Sequence, residues 1–170
     1  MSTAGSALLS LEKVTLRFGG LTAVNAFDLQ VQAGSLFGII GPNGAGKTTA
    51  FNLVTGVYQP TEGKITFDGE VVAQGKAPGV KGFRRKPYEL SARGVARTFQ
   101  NIRLFGSLTV LENVRTAFQQ RLATGLFAAT VRSAAFYDEE AAVDREAREL
   151  LALLDLGHLA GAGATALAYG

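Results

Sequence analysis

The chain has 170 residues, of which 47% are hydrophobic and 18% charged, so its composition excludes an intrinsically disordered protein and its length is typical of one domain. A net charge of +3 without a basic stripe argues against a nucleic-acid partner, and the lack of cysteine excludes a disulfide framework or a cysteine nucleophile. The sequence has no apolar run of about 18 residues and no basic leader, which predicts a cytoplasmic protein.

The first hundred residues are dominated by strand patterns. Residues 8–18 alternate apolar and polar side chains, with a break at Lys13 that is compatible with a β-bulge. Residues 26–32 form a second predicted strand. Residues 35–40 are apolar at nearly every position, which is typical of a strand buried on both faces in a parallel sheet.

Shorter elements follow, and then two long helical patterns. The sequence predicts a helix at 47–55, a strand at 64–68, a loop at 74–86, a short helix at 87–94 and a strand at 95–99. Amphipathic helices are predicted at 108–122 and 133–156. We interpret residues 1–100 as an α/β core and residues 101–170 as a helical subdomain.

Residues 41–48 read Gly-Pro-Asn-Gly-Ala-Gly-Lys-Thr, which fits the phosphate-loop pattern G-x-x-x-x-G-K-[ST] without a mismatch. Glycines let the backbone N–H groups converge on an anion, and a helix N-terminus favours negative charge. Lys47 is predicted to reach the β- and γ-phosphates, and the Thr48 hydroxyl to contact Mg²⁺. Because the loop lies between a predicted strand and a helix, we prefer nucleoside triphosphate binding to an empty glycine-rich turn.

Other residues narrow the class of phosphate-loop protein. The sequence has no Asn-Lys-x-Asp string, which a GTPase uses to bind guanine. Phe18 precedes the loop, and Gln100 ends a predicted strand after it. With the segment Leu167, Ala168, Tyr169 and Gly170, these residues resemble the ATP-binding subunits of ABC transporters.

The resemblance implies a role for each matching position. Phe18 would stack on adenine, Gln100 would contact Mg²⁺ and the attacking water, and residues 167–170 would open the signature motif that faces a second subunit. Lys47 and Gln100 would be the catalytic residues present, and Thr48 and Gln100 the metal ligands. The implied ATP-binding residues are Phe18, Gly41, Pro42, Asn43, Gly44, Ala45, Gly46, Lys47, Thr48 and Thr49.

Four longer strings resemble the branched-chain amino acid importers within that family: RFGGLTAV, ARTFQNIRLF, LTVLENV and TGLF. The resemblance implies a phosphate-loop core with an antiparallel β-subdomain, followed by a helical subdomain. Its implied cofactors are ATP and Mg²⁺. The implied partners are a second ATP-binding subunit, transmembrane permease subunits and, indirectly, a periplasmic solute-binding protein, at the cytoplasmic face of the plasma membrane. The sequence departs from these importers in two places. The first is residues 70–87, a segment that is longer and more basic than the corresponding connection in the importers.

The second departure is the end of the sequence. In this family the Mg²⁺-binding Asp, the catalytic Glu and the switch His follow the signature motif, and no residues follow Gly170 here. His158 lies in an apolar stretch and is predicted to be packed. We therefore expect an incomplete ATPase domain that is poorly soluble and does not hydrolyse ATP alone. The alternatives are an ABC ATPase of another system, such as a lipid exporter, a urea or amide importer or a non-transport protein, and a non-catalytic nucleotide-binding remnant.

Overall fold

A computed structural model describes residues 7–99, 103–118 and 134–167 of the chain. The chain divides into two compact units, with the division between Arg97 and Thr98.

The first unit is built on a five-stranded antiparallel sheet with the strand order β2-β1-β3-β4-β5. The strands are β1 (Leu9–Phe18), β2 (Leu21–Val31), β3 (Glu62–Phe67), β4 (Glu70–Gln74) and β5 (Phe83–Arg84). Helix α1 (Lys47–Val54) lies between β2 and β3, and helix α2 (Pro87–Ala92) follows β5. The helices at 47–55 and 87–94 and the strands at 8–18, 26–32 and 64–68 are thereby confirmed, with shifted boundaries.

The break in alternation at Lys13 is a β-bulge. The pairing of β1 with β2 shifts register between Leu11 and Val14, and Lys13 has a positive φ of 46°. Its N–H group donates a hydrogen bond of 2.7 Å to Oδ1 of Asp28 instead of a ladder carbonyl. The bulge keeps Leu11, Val14 and Leu16 buried in one core, which strict alternation across Lys13 would not allow.

One face of the sheet forms the core of this unit. The buried side chains come from three strands and from both helices, namely Leu11, Val14, Leu16, Leu53, Ile65, Val72, Ala73 and Leu90. Helix α1 contributes Leu53 and helix α2 contributes Leu90, so both helices are fixed to the sheet by apolar contacts. Burial of a leucine side chain stabilises by roughly 1.5–3 kcal/mol, so each of these two residues contributes to the attachment of its helix.

Three predictions for this unit were wrong. Residues 35–40 form no strand, and Leu36 and Ile40 are 102% and 97% exposed. A strand needs at least one hydrogen-bonded neighbour, and none of the five described strands pairs with this segment. Residues 95–99 are also not a strand. The predicted loop at 74–86 instead contains the end of β4 and the short strand β5, which pair with each other.

The second unit is helical, as predicted. Helix α3 (Val110–Phe118) and helix α4 (Ala134–Leu153) are followed by two short 3₁₀ turns, Gly157–Leu159 and Ala164–Ala166. The core between them contains Val110, Leu111, Phe118, Ala147, Leu151 and Ala160. No helix in the described ranges is long and apolar enough to cross a bilayer.

Polar contacts fix both ends of α3. Thr109 and Glu112 form a capping box, in which the Thr109 N–H donates to the Glu112 carboxylate at 2.7 Å and the Glu112 N–H donates back to Oγ1 at 3.2 Å. These hydrogen bonds from Thr109 hold the pKa of Glu112 below its ordinary value. Arg115 on the same helix pairs with Glu140 and Asp144 of α4.

Candidate functional site

The predicted phosphate loop connects an irregular segment to the first turn of α1. Residues 41–46 contain no regular element, and the helix begins at Lys47. Gly44 and Gly46 have φ values of 85° and 84°, in the left-handed region that side chains disfavour. The two glycines are therefore required by the path of the loop.

The N–H groups of this loop are available to a ligand. No described residue accepts a hydrogen bond from the N–H groups of Gly44, Gly46, Lys47, Thr48 and Thr49. In contrast, the Ala45 N–H donates to the Pro42 carbonyl at 3.2 Å, which closes the turn. Five unsatisfied donors at the start of a helix are the donor set that suits a phosphate group.

The Lys47 side chain folds back across the loop. Its Nζ donates to the carbonyl oxygens of Gly41 and Pro42 at 2.6 Å and 2.7 Å. Both acceptors are neutral, so the positive charge is solvated without being neutralised by a carboxylate. An anionic ligand above the loop would therefore meet an uncompensated ammonium group that is already held in place.

The hydroxyl group of Thr48, the residue after Lys47, is also accessible. Thr48 is exposed and its hydroxyl has no hydrogen-bond partner among the described residues. One hydroxyl is a weak ligand by itself, and the described part of the chain contains no group of three or more His, Cys, Asp or Glu that could hold a metal. The residues present fit a Mg²⁺ ion that is delivered with phosphate oxygens, because such an ion needs few protein ligands.

Gly46 is packed against β2. A Cβ atom at this position would lie 2.6 Å from the carbonyl oxygen of Ala23 and 3.4 Å from a methyl group of Val24. The end of the loop therefore lies directly on the β1–β2 hairpin. This contact ties the phosphate loop to the strand pair that also carries Phe18.

Phe18 ends β1 and is 46% exposed. Its ring makes an edge-to-face contact with Tyr58, with 5.2 Å between the centroids and 77° between the planes. A pocket of about 450 Å³ adjoins both rings. Phe18 pairs with Leu21, and Ala23 lies about 7 Å further along β2, so the aromatic side chain and the loop share one rigid hairpin.

Two arginines hold the other end of α1. Nη1 of Arg84 donates to the Gly56 carbonyl at 2.6 Å, and Nη1 of Arg97 donates to Asn52 Oδ1 at 2.7 Å and to Thr55 Oγ1 at 3.2 Å. Cations at a helix C-terminus interact favourably with its last carbonyls. The sequence patterns did not identify Tyr58, Arg84 or Arg97 as part of the site. Of the three, only Arg84 was indicated in the sequence, as the first residue of the basic run at 84–86.

The structure brings together only part of the predicted site. The loop residues and Phe18 lie in the first unit. Gln100 lies outside the described residues, as do Ala168, Tyr169 and Gly170 of the predicted signature segment. Leu167, the first residue of that segment, is half-buried against the core of the second unit.

Comparison with known proteins identifies the family. A sequence model of the ABC transporter family matches residues 24–170. The chain is 42% identical over 163 residues to the high-affinity branched-chain amino acid transport ATP-binding protein BraF of Pseudomonas aeruginosa. It is 41% identical over 164 residues to the corresponding LivG protein of Escherichia coli K12. Each alignment covers 96% of this chain and 60% of the relative, so the chain spans about 60% of the length of these proteins.

Solved structures agree with this assignment. A nucleotide-free ATP-binding cassette from an ABC transporter superposes with a TM-score of 0.66, and a structure of the ADP conformation of an ATP-binding cassette with 0.67. Both are 29% identical in sequence, and each match covers 95% of this chain and 59% of the solved one. The fold is therefore that of an ABC ATPase cassette over the part that the chain spans.

Proposed function

The chain belongs to the ABC transporter family, and from this we propose that it binds ATP as part of the ATP-binding subunit of an importer for branched-chain amino acids. The observation that carries the nucleotide proposal is the row of five unused N–H donors beside the uncompensated charge of Lys47. The substrate proposal is supported by the identity of 41–42% to the two transport proteins.

We assign the binding roles as follows. The N–H groups of Gly44 and of residues 46–49 hold phosphate oxygens, and Lys47 exchanges its two carbonyl contacts for the terminal phosphates. Phe18 supports the base, with Tyr58 fixing the orientation of its ring. Thr48 and Gln100 would hold the Mg²⁺ ion, which when bound neutralises charge on the phosphates.

ATP hydrolysis is proposed for a protein of the full length of the relatives, of which this chain spans about 60%. Lys47 would stabilise negative charge on the transferred phosphoryl group, and Gln100 would orient the water. In that protein residues 167–170 would contact the ATP held by a second ATP-binding subunit. Residues 35–40 would then be covered by additional strands, which accounts for an apolar segment that is exposed here.

We propose that the subunit acts on permease subunits and is peripheral to the cytoplasmic face of the plasma membrane. Leu104 and Phe105 are exposed apolar residues that suit a contact with such a partner. Asn113 holds the backbone of Phe105, since it accepts from the Phe105 N–H at 2.9 Å and donates to the Phe105 carbonyl at 3.1 Å. A periplasmic solute-binding protein would be coupled only through the permease.

The nucleotide proposal is tested by titrating the chain with MgATP in a calorimeter. Lys47→Ala is expected to weaken ATP binding by about 10- to 100-fold, because it removes a charged donor to the phosphates. Lys64→Ala is the matched control, since it removes an exposed lysine whose partner is Glu12 in the same unit. Equal affinities of the Lys47 and Lys64 variants would contradict the proposal.

The substrate proposal needs a test in cells. Deletion of the gene from its own cells is expected to reduce uptake of labelled leucine, isoleucine and valine at low external concentration. Unchanged uptake of all three would refute the assignment to branched-chain amino acids, while leaving the nucleotide proposal intact.

A further inference from the structure

Residues 75–88 form a basic projection to which the proposed nucleotide site assigns no role, although Lys76 lines the pocket beside Phe18 and Tyr58. The segment contains Lys76, Lys81, Arg84, Arg85 and Lys86, and no acidic residue lies between Glu70 and Glu89. It overlaps residues 70–87, the segment that is longer and more basic than the corresponding one in the branched-chain amino acid importers that the sequence resembles. Eleven of the thirteen positions from 76 to 88 are exposed, so the charge lies at the surface.

The projection has a defined backbone shape. Ala77 and Val80 exchange backbone hydrogen bonds of 3.3 Å and 2.9 Å across a turn with Pro78 and Gly79 at its tip. Gly79 has a φ of 74°, which suits the third position of such a turn. At the base, β5 pairs with β4 at the edge of the sheet. The charged side chains are therefore presented by a folded hairpin.

The charges of the projection divide into two groups. Arg84 donates to the Gly56 carbonyl, and Arg85 pairs with Glu70, so both are used inside the unit. Among the described residues, no carboxylate lies within ion-pair distance of Lys76, Lys81 or Lys86. Three lysines are thus available to an anionic partner.

Apolar side chains accompany these lysines. Val80 at the tip, Phe83 on β5 and Tyr88 at the start of α2 are all exposed. The Lys86 ammonium lies 5.8 Å from the centroid of the Tyr88 ring, which keeps a cation and an aromatic ring side by side. Lysines interspersed with tyrosine, phenylalanine and valine match the headgroup region of a bilayer, where aromatic rings with a polar tip are favoured.

We propose that this projection contacts the anionic lipid headgroups of the membrane surface, an inference that rests on the proposed membrane-associated function. The lysines would lie against lipid phosphates, and Val80, Phe83 and Tyr88 would enter the headgroup layer. We favour lipid over an acidic protein or a nucleic acid because the exposed apolar side chains alternate with the lysines along the segment, a mixture that suits the headgroup layer of a bilayer. The projection would add a lipid contact to the contact with the permease.

The test is flotation of the chain with vesicles on a density gradient. One set of vesicles is neutral phosphatidylcholine, and the other contains roughly one third phosphatidylglycerol. The variant K76Q/K81Q/K86Q removes the three available charges. The control K64Q/R145Q/R148Q removes the same net charge from β3 and α4. A third variant, Tyr88→Ser, tests the aromatic contribution.

The wild-type chain is expected to bind the anionic vesicles and to lose that binding as salt is raised. The three lysine substitutions together are expected to weaken binding on the order of a hundredfold, since each charge near such a surface contributes about a factor of five. The control is expected to keep most of the binding. Tyr88→Ser is expected to weaken binding severalfold at every salt concentration.

Several results would overturn the proposal. The first two are that the lysine variant binds anionic vesicles as well as wild type does, or that the control variant loses as much binding as the lysine variant. The other two are that the wild-type chain binds neutral vesicles as well as anionic ones, or that it binds an oligonucleotide or polyglutamate in place of the anionic vesicles. Titration of the same samples with MgATP separates the two proposals. A chain that binds MgATP and not vesicles fails this inference alone, whereas one that binds vesicles and not MgATP fails the proposed nucleotide function.

Discussion

Substitution of Gly46 by alanine tests how the phosphate loop is held against the β1–β2 hairpin. The new Cβ atom would lie 2.6 Å from the Ala23 carbonyl oxygen, and the backbone would keep a φ of 84°. The left-handed conformation costs a residue with a side chain about 1–2 kcal/mol. Relief of the contact requires the loop or the strand to move by at least about 0.4 Å, and such overpacking costs a further 1–3 kcal/mol, roughly.

We therefore expect Gly46→Ala to lower the free energy of unfolding by about 2–5 kcal/mol and to weaken MgATP binding at least tenfold, roughly. Binding is affected because the shift displaces the N–H groups and Lys47 together. The measurements are urea unfolding followed by circular dichroism, and calorimetric titration with MgATP under conditions where each variant is folded.

The matched control is Gly34→Ala. Gly34 has a φ of 73°, and a Cβ atom there would have no neighbour within 4 Å. It should therefore show only the conformational cost of about 1–2 kcal/mol and bind MgATP as wild type does. The reasoning would be refuted if both variants had the same stability and the same affinity, since the contact with Ala23 would then have no energetic role.

Two further predictions concern the ends of the helices. Arg97→Ala should destabilise the first unit by about 1 kcal/mol, because it removes the hydrogen bonds to Asn52 and Thr55 at the end of α1. Arg97→Lys should recover only part of that loss. Urea unfolding measures the change in stability, and a wild-type unfolding midpoint in Arg97→Ala would contradict the prediction. Hydrogen bonds from Thr109 lower the pKa of Glu112 in the folded chain, so its contribution to stability is complete above the unfolded pKa and is lost as pH falls through the folded pKa. Glu112→Gln should thus unfold with a weaker acid dependence than wild type, and identical pH profiles of thermal unfolding would exclude that role.

Local patterns in the sequence were sufficient for the elements that depend on local chemistry. The break at Lys13 predicted the bulge because the alternation of apolar residues fails where the strand gains a residue. The phosphate-loop pattern predicted the start of α1 at Lys47, since its glycines and its lysine have fixed places relative to the helix.

The wrong predictions depended on partners distant in the chain. The apolar run at 35–40 indicates burial on both faces, but that burial requires neighbouring strands that the described residues do not supply. The strand β5 has two residues and no periodicity to detect. Arg84 contacts Gly56, just after α1, and Arg97 contacts Asn52 within it; these partners are 28 and 45 positions away in the chain, which no local pattern reveals.

The order of the strands has a consequence for how the protein is made. Each pairing in the sheet joins consecutive strands, except that of β1 with β3, where β2 and α1 lie between them in the chain. Contacts that are close in sequence form quickly, and a ribosome adds only about 5–20 residues per second. The hairpin that carries Phe18 and supports the phosphate loop therefore has time to form during translation, before the helical unit has been synthesised.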